Sequence, residues 1–337
     1  MTENAPLFAE IAQGPEGGLA WWKTSTDGVR LRVALWPKGE HGTVLIFPGR
    51  TEYIEKYGRT AAEFAARGFA CAAIDWRGQG LADRPAPDRN LGHVEVFSDY
   101  QLDVALLLDK AKAHGLPRPY YLAAHSMGGC IGLRALTQGL DVRAAAFSAP
   151  MWGIRFAPGV QHMARALSRT ARILRQSMHY APGTGPGSYV LTAPFLGNVL
   201  TRDPETYAWM QDQLRQHPDL ALGGPSLHWL DEAMTECGAL ADLPSPDIPV
   251  LCFLGLEEKV VDDTAIQEPL GPSVKGDVRP PPHAPGRAAR RNGQGYSGPP
   301  SSPSAGMPRL TSPPRAASGS RLLPDARDDR EATAPSR

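Results

Sequence analysis

Pro119-Tyr120-Tyr121-Leu122-Ala123-Ala124-His125-Ser126-Met127-Gly128-Gly129-Cys130-Ile131-Gly132-Leu133 is the stretch that decides the fold. An apolar run over residues 120–124 stops at His125-Ser126-Met127-Gly128-Gly129, and apolar positions resume at Ile131, Leu133, Ala135 and Leu136. Run, break and renewed periodicity predict a strand, a sharp turn and a helix. The turn follows the G-x-S-x-G pattern of a nucleophile elbow, with Ala124 in place of the first glycine and Gly128 as the second. An elbow strains the backbone of its serine, so the residues two before and two after must be small enough for strand and helix to approach. Ser126 is therefore the candidate nucleophile, standing at a helix N-terminus whose dipole favours developing negative charge. The plainer alternative is a glycine-rich turn with a capping serine.

Working outward, Val29, Leu31, Val33 and Leu35 alternate with Arg30 and Arg32 after Asp27-Gly28, which predicts a hairpin with residues 21–24. Residues 43–47 and 69–74 are continuous apolar runs, read as buried strands, with a helix over 61–68 between them. Ser98-Asp99-Tyr100-Gln101 resembles a capping box opening a helix with apolar Val104, Leu107, Leu108 and Ala111. Another strand is expected over 142–147 and another over 249–254. Strands alternating with helices, apolar rather than alternating in pattern, predict an α/β fold with a mostly parallel sheet covered on both faces. Between them, residues 151–243 show helical stretches (162–178, 204–216 and 226–241) with Gly/Pro-rich joints, read as a helical cap inserted over the sheet.

From Thr264 onward the character changes. Fourteen of the chain's 33 prolines fall there, Tyr296 is the only aromatic, and no apolar period persists. Residues 1–263 are expected to form the folded domain and 264–337 a disordered Pro/Arg/Gly-rich tail not native to it. Its richness in Arg, Pro, Gly, Ala and Ser is what a GC-rich gene yields out of frame, so a shifted reading frame or an unrelated fusion is the expected origin.

The 337 residues carry 35 Lys+Arg and 35 Asp+Glu, so no global field recruits nucleic acid. The N-terminus lacks a basic region with a long apolar run, and no later run approaches about 18 residues, which predicts a cytoplasmic protein. Cys71, Cys130, Cys237 and Cys252 lack metal-ligand spacing and read as reduced thiols. No metal, cofactor or obligate protein partner is expected.

Acyl transfer needs a nucleophile, a base, an orienting acid and two N–H donors for the oxyanion. The backbone N–H of Met127, just after Ser126, is the first donor. That of Arg50, in the loop after residues 43–47, is the second. Glu258 and Asp262, after the strand at 249–254, are both available as the acid.

In Phe47-Pro48-Gly49-Arg50-Thr51-Glu52-Tyr53, Asp75-Trp76-Arg77-Gly78-Gln79-Gly80, Gly92-His93-Val94, Phe97-Ser98-Asp99-Tyr100, the elbow, and residues 249–262, the chain resembles one branch of the α/β-hydrolases. This is the lysophospholipase and monoacylglycerol lipase branch, also labelled the serine aminopeptidase S33-like group, and the likeness spans residues 20–263. Where that branch usually has His-Gly-x-Gly-Glu, this chain has Pro48-Gly49-Arg50-Thr51-Glu52, a form similar to the bacterial lysophospholipase-like members. The resemblance implies a serine esterase whose cap shapes an acyl-chain pocket. It places the acid three residues after Gly255, at Glu258, with Asp262 on a second acidic position. It also implies a histidine base beyond a further strand. Only His283 stands there, in Arg279-Pro280-Pro281-Pro282-His283-Ala284-Pro285, where no strand pattern precedes it and proline removes ladder donors. His125 leaves the elbow in another direction from Ser126, and it and His93 are read as structural.

Two functions follow. One is a hydrolase that cleaves carboxylic esters of single-chain lipids, lysophospholipid or monoacylglycerol, through an acyl-enzyme, with transient contact at a membrane surface. The alternative is a catalytically incomplete relative that lacks the triad histidine because its C-terminal part was replaced. An amide substrate fits the S33-like label equally well, and fold alone does not choose.

Overall fold

The computed structural model describes residues 3–255 and 257–267. Its strands are β1 (Glu3–Asn4), β2 (Leu19–Thr24), β3 (Arg30–Trp36), β4 (Thr43–Phe47), β5 (Ala70–Asp75), β6 (Tyr120–His125), β7 (Ala145–Ser148) and β8 (Val250–Phe253). Its helices are α1 (Ala9–Ala12), α2 (Gly58–Ala65), α3 (Tyr100–Ala113), α4 (Met127–Thr137), α5 (Val160–Ile173), α6 (Tyr189–Thr192), α7 (Pro204–Gln216), α8 (Leu227–Ala241) and α9 (Asp263–Gln267). The strands form one sheet in the order β1-β2-β3-β5-β4-β6-β7-β8. Pairing is antiparallel from β1 to β5 and parallel from β5 to β8. The Asp27-Gly28 hairpin forms as expected, with Thr24 opposite Arg30 and Gly28 at φ 89°.

The apolar runs become β4 and β5, buried on both faces as central strands must be. One face carries Leu31, Val33, Leu45, Phe47, Ile74, Leu122 and Phe147 in a core shared with α3, α4 and α8. The other carries Ala34, Trp36, Val44, Ile46 and Ala73, packed on Ala61 and Phe64 of α2. At the β8 end this second face opens: Leu251 and Phe253 remain 46% and 39% exposed, so β8 is buried on one side only.

Four expectations are corrected. The β3 alternation put Arg32 with Arg30 toward water, yet only Arg30 is exposed. Arg32 is fully buried, donating from Nε to Asp75 (2.8 Å) and from Nη1 and Nη2 to the Glu55 carboxylate (2.8 and 2.7 Å), because α1 and the Ile54–Tyr57 3-10 turn cover it. The capping box at Ser98 does not form. A 3-10 turn over Phe97–Asp99 leads into α3 without a side-chain cap, and the Phe97 N–H goes instead to Glu232 of α8 (3.0 Å).

Residues 151–243 carry α5 to α8, with α5 ending at Ile173 rather than at 178, and α8 is more than cap. Trp229, Ala233, Cys237 and Leu240 enter the main core, while Leu227, Leu230 and Met234 build a smaller cap core with Ala171 and Ala181. The two sets lie on adjoining stripes of one broad apolar face, so the helix joins cap to sheet. Finally, the boundary at Thr264 falls inside α9, whose Ile266 is buried in the main core with Val261. Residues 268–337, with His283 and the expected disordered tail, lie outside the described residues.

Candidate active site

Ser126 joins β6 to α4 at φ 51° and ψ −119°, a conformation that costs an L-residue about 1–3 kcal/mol and that the surrounding packing enforces. Its N–H donates to Ser148 O (3.1 Å), and its carbonyl accepts from Gly129 (2.8 Å) and Met151 (2.9 Å). The small residue demanded two positions later is literal: a Cβ on Gly128 would lie 2.2 Å from Phe47 O and 2.5 Å from Pro48 O. Helix α4 thus rides directly on the end of β4, and Ser126 and the 48–52 loop share one corner.

The Asp75–Gly80 segment holds that loop. Trp76 Nε1 donates to Pro48 O (2.9 Å), Gln79 Nε2 donates to Gly49 O (2.8 Å) and Glu52 O (3.1 Å), and Thr51 N–H donates to Gln79 Oε1 (3.3 Å). Asp75 accepts from the backbone of Ile54 (2.9 Å) and Leu81 (2.8 Å), and Gly80, at φ 56°, leaves its carboxylate room. Within the corner so fixed, the backbone N–H groups of Arg50 and Met127 have no hydrogen-bond partner among the described residues. Two orphan donors beside a half-buried serine are what an oxyanion needs.

Glu52, beneath the loop, accepts from Gly49 N–H (2.5 Å), Lys56 and Tyr57. Burial pushes its pKa up, but the charges of Lys56 and His125 and the bonds from Lys56 and Tyr57 outweigh this and hold it at about 2. His125 directs Nδ1 to Ser148 O (2.9 Å) and Nε2 toward Glu52 (3.6 Å), so both ring nitrogens are engaged away from Ser126. His93 is buried, with Nδ1 on Ser226 Oγ (2.9 Å).

Over the corner lies a cavity of about 600 Å³. Ser126, Arg50, Glu52 and His125 form its floor residues, and Met151, Ile154, Tyr189, Val190, Val199, Leu200, Met210, Leu214, Leu222 and Trp229 contribute apolar wall. Most of that wall comes from the cap.

Of the two acid candidates, neither lines the cavity, although Val260 and Val261 between them do. Glu258 Oε1 accepts the N–H groups of Lys259 (3.0 Å), Val260 (2.7 Å) and Val261 (3.1 Å), which folds the loop around one carboxylate oxygen. Asp262 Oδ1 accepts from Thr264 N–H (3.0 Å) and Oγ1 (2.7 Å) at the start of α9. No described histidine hydrogen-bonds Ser126 Oγ, Glu258 or Asp262. Among the described residues no cluster of His, Cys, Asp or Glu is arranged to hold a metal ion, and no helix is long and apolar enough to cross a membrane.

Sequence reasoning missed the partners of this corner more than its members. Gln79 stood in a quoted motif, and its glycines pointed to a tight loop. Gly223 and Trp229, which hold the Arg50 side chain, come from the cap, where no local pattern announces them.

A family model described as serine aminopeptidase, S33 matches residues 38–272. Lysophospholipase L2 of Escherichia coli (strain K12) is 34% identical over 272 residues, covering 77% of this chain and 78% of that protein. A probable lysophospholipase L2 of Haemophilus influenzae is 28% identical over 239 residues, covering 70% of this chain and 74% of that one. Among solved structures, a soluble variant of monoglyceride lipase from Saccharomyces cerevisiae, in complex with a substrate analog, superposes with a TM-score of 0.55. It is 21% identical and covers 72% of this chain and 79% of its own. Monoacylglycerol lipase of Paleococcus ferrophilus gives 0.51 at 19% identity, over 70% of this chain and 81% of that one. At these identities the two structures speak for the fold.

Proposed function

This chain belongs to the serine aminopeptidase S33 family of α/β-hydrolases, and on that premise we propose that it cleaves the carboxylic ester of single-chain lipids through an acyl-enzyme on Ser126. The observation that carries the reading is Ser126, strained at φ 51° on the floor of a largely apolar cavity beside two unpartnered backbone N–H groups. The apolar cap walls suit one acyl chain. Ser126 Oγ attacks the ester carbonyl and the oxyanion lies against the N–H groups of Arg50 and Met127. The bond to the glycerol oxygen breaks as that oxygen takes up the proton removed from Ser126, and water then attacks the acyl-enzyme, releasing the fatty acid and returning a proton to Ser126 Oγ. Glu258 orients the imidazole that takes the serine proton. Its second carboxylate oxygen is left open by the loop that grips the first, and Asp262 is the alternative acid.

The base itself does not come from the described residues, and the second reading is a hydrolase relative with an incomplete triad. One experiment separates the two. A fluorophosphonate probe should add a single mass to the chain and none to Ser126→Ala, and hydrolysis of a medium-chain monoacylglycerol should fall in proportion to the labelled fraction. Labelling without turnover, with turnover raised by free imidazole, selects the incomplete triad. Equal labelling of Ser126→Ala refutes the nucleophile.

A further inference from the structure

Among the described residues, no carboxylate pairs with Arg50, a cation on the cavity floor. Its Nη2 donates to Gly223 O (2.8 Å), its guanidinium lies over the Trp229 ring (5.2 Å to the centroid), and its Nε is shut off from solvent with no partner. Nη1 makes no hydrogen bond among the described residues. Glu52, the carboxylate nearest in sequence, is committed to Gly49, Lys56 and Tyr57. Burial pulls the Arg50 pKa down to about 10, so the group still carries its charge at neutral pH.

The slot around it is built for a guanidinium. A Cβ on Gly92 would come 2.3 Å from Nη2, and Gly223, which fixes that nitrogen, is itself hemmed in by backbone, its own Cβ position lying 2.6 Å from Gly185 O. Holding a desolvated cation without a counter-charge is costly, and the cost is recovered when an anion enters. A planar fork clamped on one side and stacked on an aromatic ring presents its remaining N–H groups in a fixed direction, the arrangement that suits phosphate oxygens.

We propose that Arg50 is the phosphate subsite of this cavity, binding the phosphodiester of a lysophospholipid whose acyl ester lies at Ser126. This rests on reading the cavity as the ester-hydrolase site, and it distinguishes a phosphate-bearing substrate from a neutral monoacylglycerol. The backbone N–H of the same residue faces the oxyanion, so one loop residue would read carbonyl and headgroup together.

The test uses binding, which needs no catalytic base. Two non-hydrolysable probes with the same dodecyl chain, an ether analogue of lysophosphatidylcholine and the corresponding glycerol ether, are titrated below their micellar concentrations against the full chain and followed by tryptophan fluorescence. The phosphate probe should bind roughly tenfold tighter or better, the increment of a charge-assisted pair. Arg50→Gln and Gly92→Ala, which removes or displaces the guanidinium, should bring it down to the level of the glycerol ether, and Arg50→Lys should keep part of the preference. Equal affinity of the parent chain for both probes overturns the subsite alone. A parallel loss on both probes in Arg50→Gln also overturns it, since Arg50 would then be a latch holding the cap through Gly223. Inorganic phosphate or glycerophosphocholine binding as tightly as the lipid probe overturns the headgroup assignment. Binding of neither lipid probe overturns the lipid-cavity reading as well.

Discussion

Replacing Gly128 by alanine should disable the site at a modest cost in stability, because the methyl would be driven into the oxyanion corner. It would lie 2.2 Å from Phe47 O and 2.5 Å from Pro48 O, both backbone atoms that no rotamer change can move. Restoring an ordinary contact of roughly 3.4 Å requires about 1 Å of separation between α4 and the end of β4. If α4 retreats it carries Ser126 and the Met127 N–H; if β4 retreats it carries the loop with the Arg50 N–H. Either way the two donors part by about 1 Å, a misplacement that costs on the order of a hundredfold in rate. Overpacking of this kind destabilises by about 1–3 kcal/mol. Gly139→Ala is the control: it sits just beyond the other end of α4 at φ 88°, where a Cβ meets nothing within 4 Å, so backbone strain of about 1 kcal/mol is its whole effect. Urea unfolding gives the stabilities, and the rate of fluorophosphonate labelling at Ser126 gives the site. Gly128→Ala labelling at the parent rate, or slowed no more than Gly139→Ala, refutes the coupling of elbow to corner.

Arg32→Met should cost about 3–5 kcal/mol, since it leaves Glu55 and Asp75 buried without their cation; a urea midpoint within error of the parent would show the cluster to be dispensable. Glu52, held at about 2 against an ordinary 4.5, contributes stability that is complete above pH 4.5 and is lost as pH falls toward 2. The gap corresponds to at most about 3 kcal/mol, so the fall in unfolding free energy from pH 7 to pH 3 should be smaller in Glu52→Gln than in the parent, and identical falls would contradict it. Ser226→Ala, which removes the acceptor for Trp229 N–H (2.9 Å) at the start of α8, should cost about 1–2 kcal/mol by the same measurement. His283→Ala should leave ester hydrolysis at the parent rate, whatever that rate is, and a loss would make His283 the base.

The sheet was legible because its central strands β4 and β5 are buried on both faces and so appear as unbroken apolar runs, and because Gly128 cannot be anything larger. Signals that depend on local pattern alone fared less well where tertiary structure supplied a different partner. Ser98 gave way as a cap because it lies inside a 3-10 turn, and Gln101, the other half of the box, donates from Nε2 to Ile131 O (3.2 Å) instead. Arg32 looked like the wet side of an alternating strand because alternation does not reveal that Glu55 and Asp75 will close over it. The strained turn at Ser126 and its nearness to the loop after β4 were readable from the elbow pattern. The cavity was not, since its walls are assembled from cap segments whose spacing carries no period, and the boundary at Thr264 slipped because α9 is too short to show one.

Arg32 and Arg50 together show how a buried charge can be sorted into structure or function. Both guanidiniums sit within the fold against an aromatic ring, Phe8 for one and Trp229 for the other. Arg32 donates to two carboxylates and to Pro6 O (3.1 Å), and each carboxylate has further backbone donors, so the cluster is satisfied and has no capacity left for a ligand. Arg50 has one carbonyl, an orphan Nε and a cavity. Ser126 and Thr51, two of the described non-glycine residues at positive φ, stand on the same floor. Unsatisfied donors, uncompensated charge and backbone strain are each unfavourable to folding, and all three meet on the floor of this cavity. A fold retains such a convergence when the missing partner is a ligand. The oxyanion would complete the Arg50 and Met127 N–H groups, and a phosphate would complete the Arg50 side chain, so a lysophospholipid bound with its ester at Ser126 would satisfy all three at once.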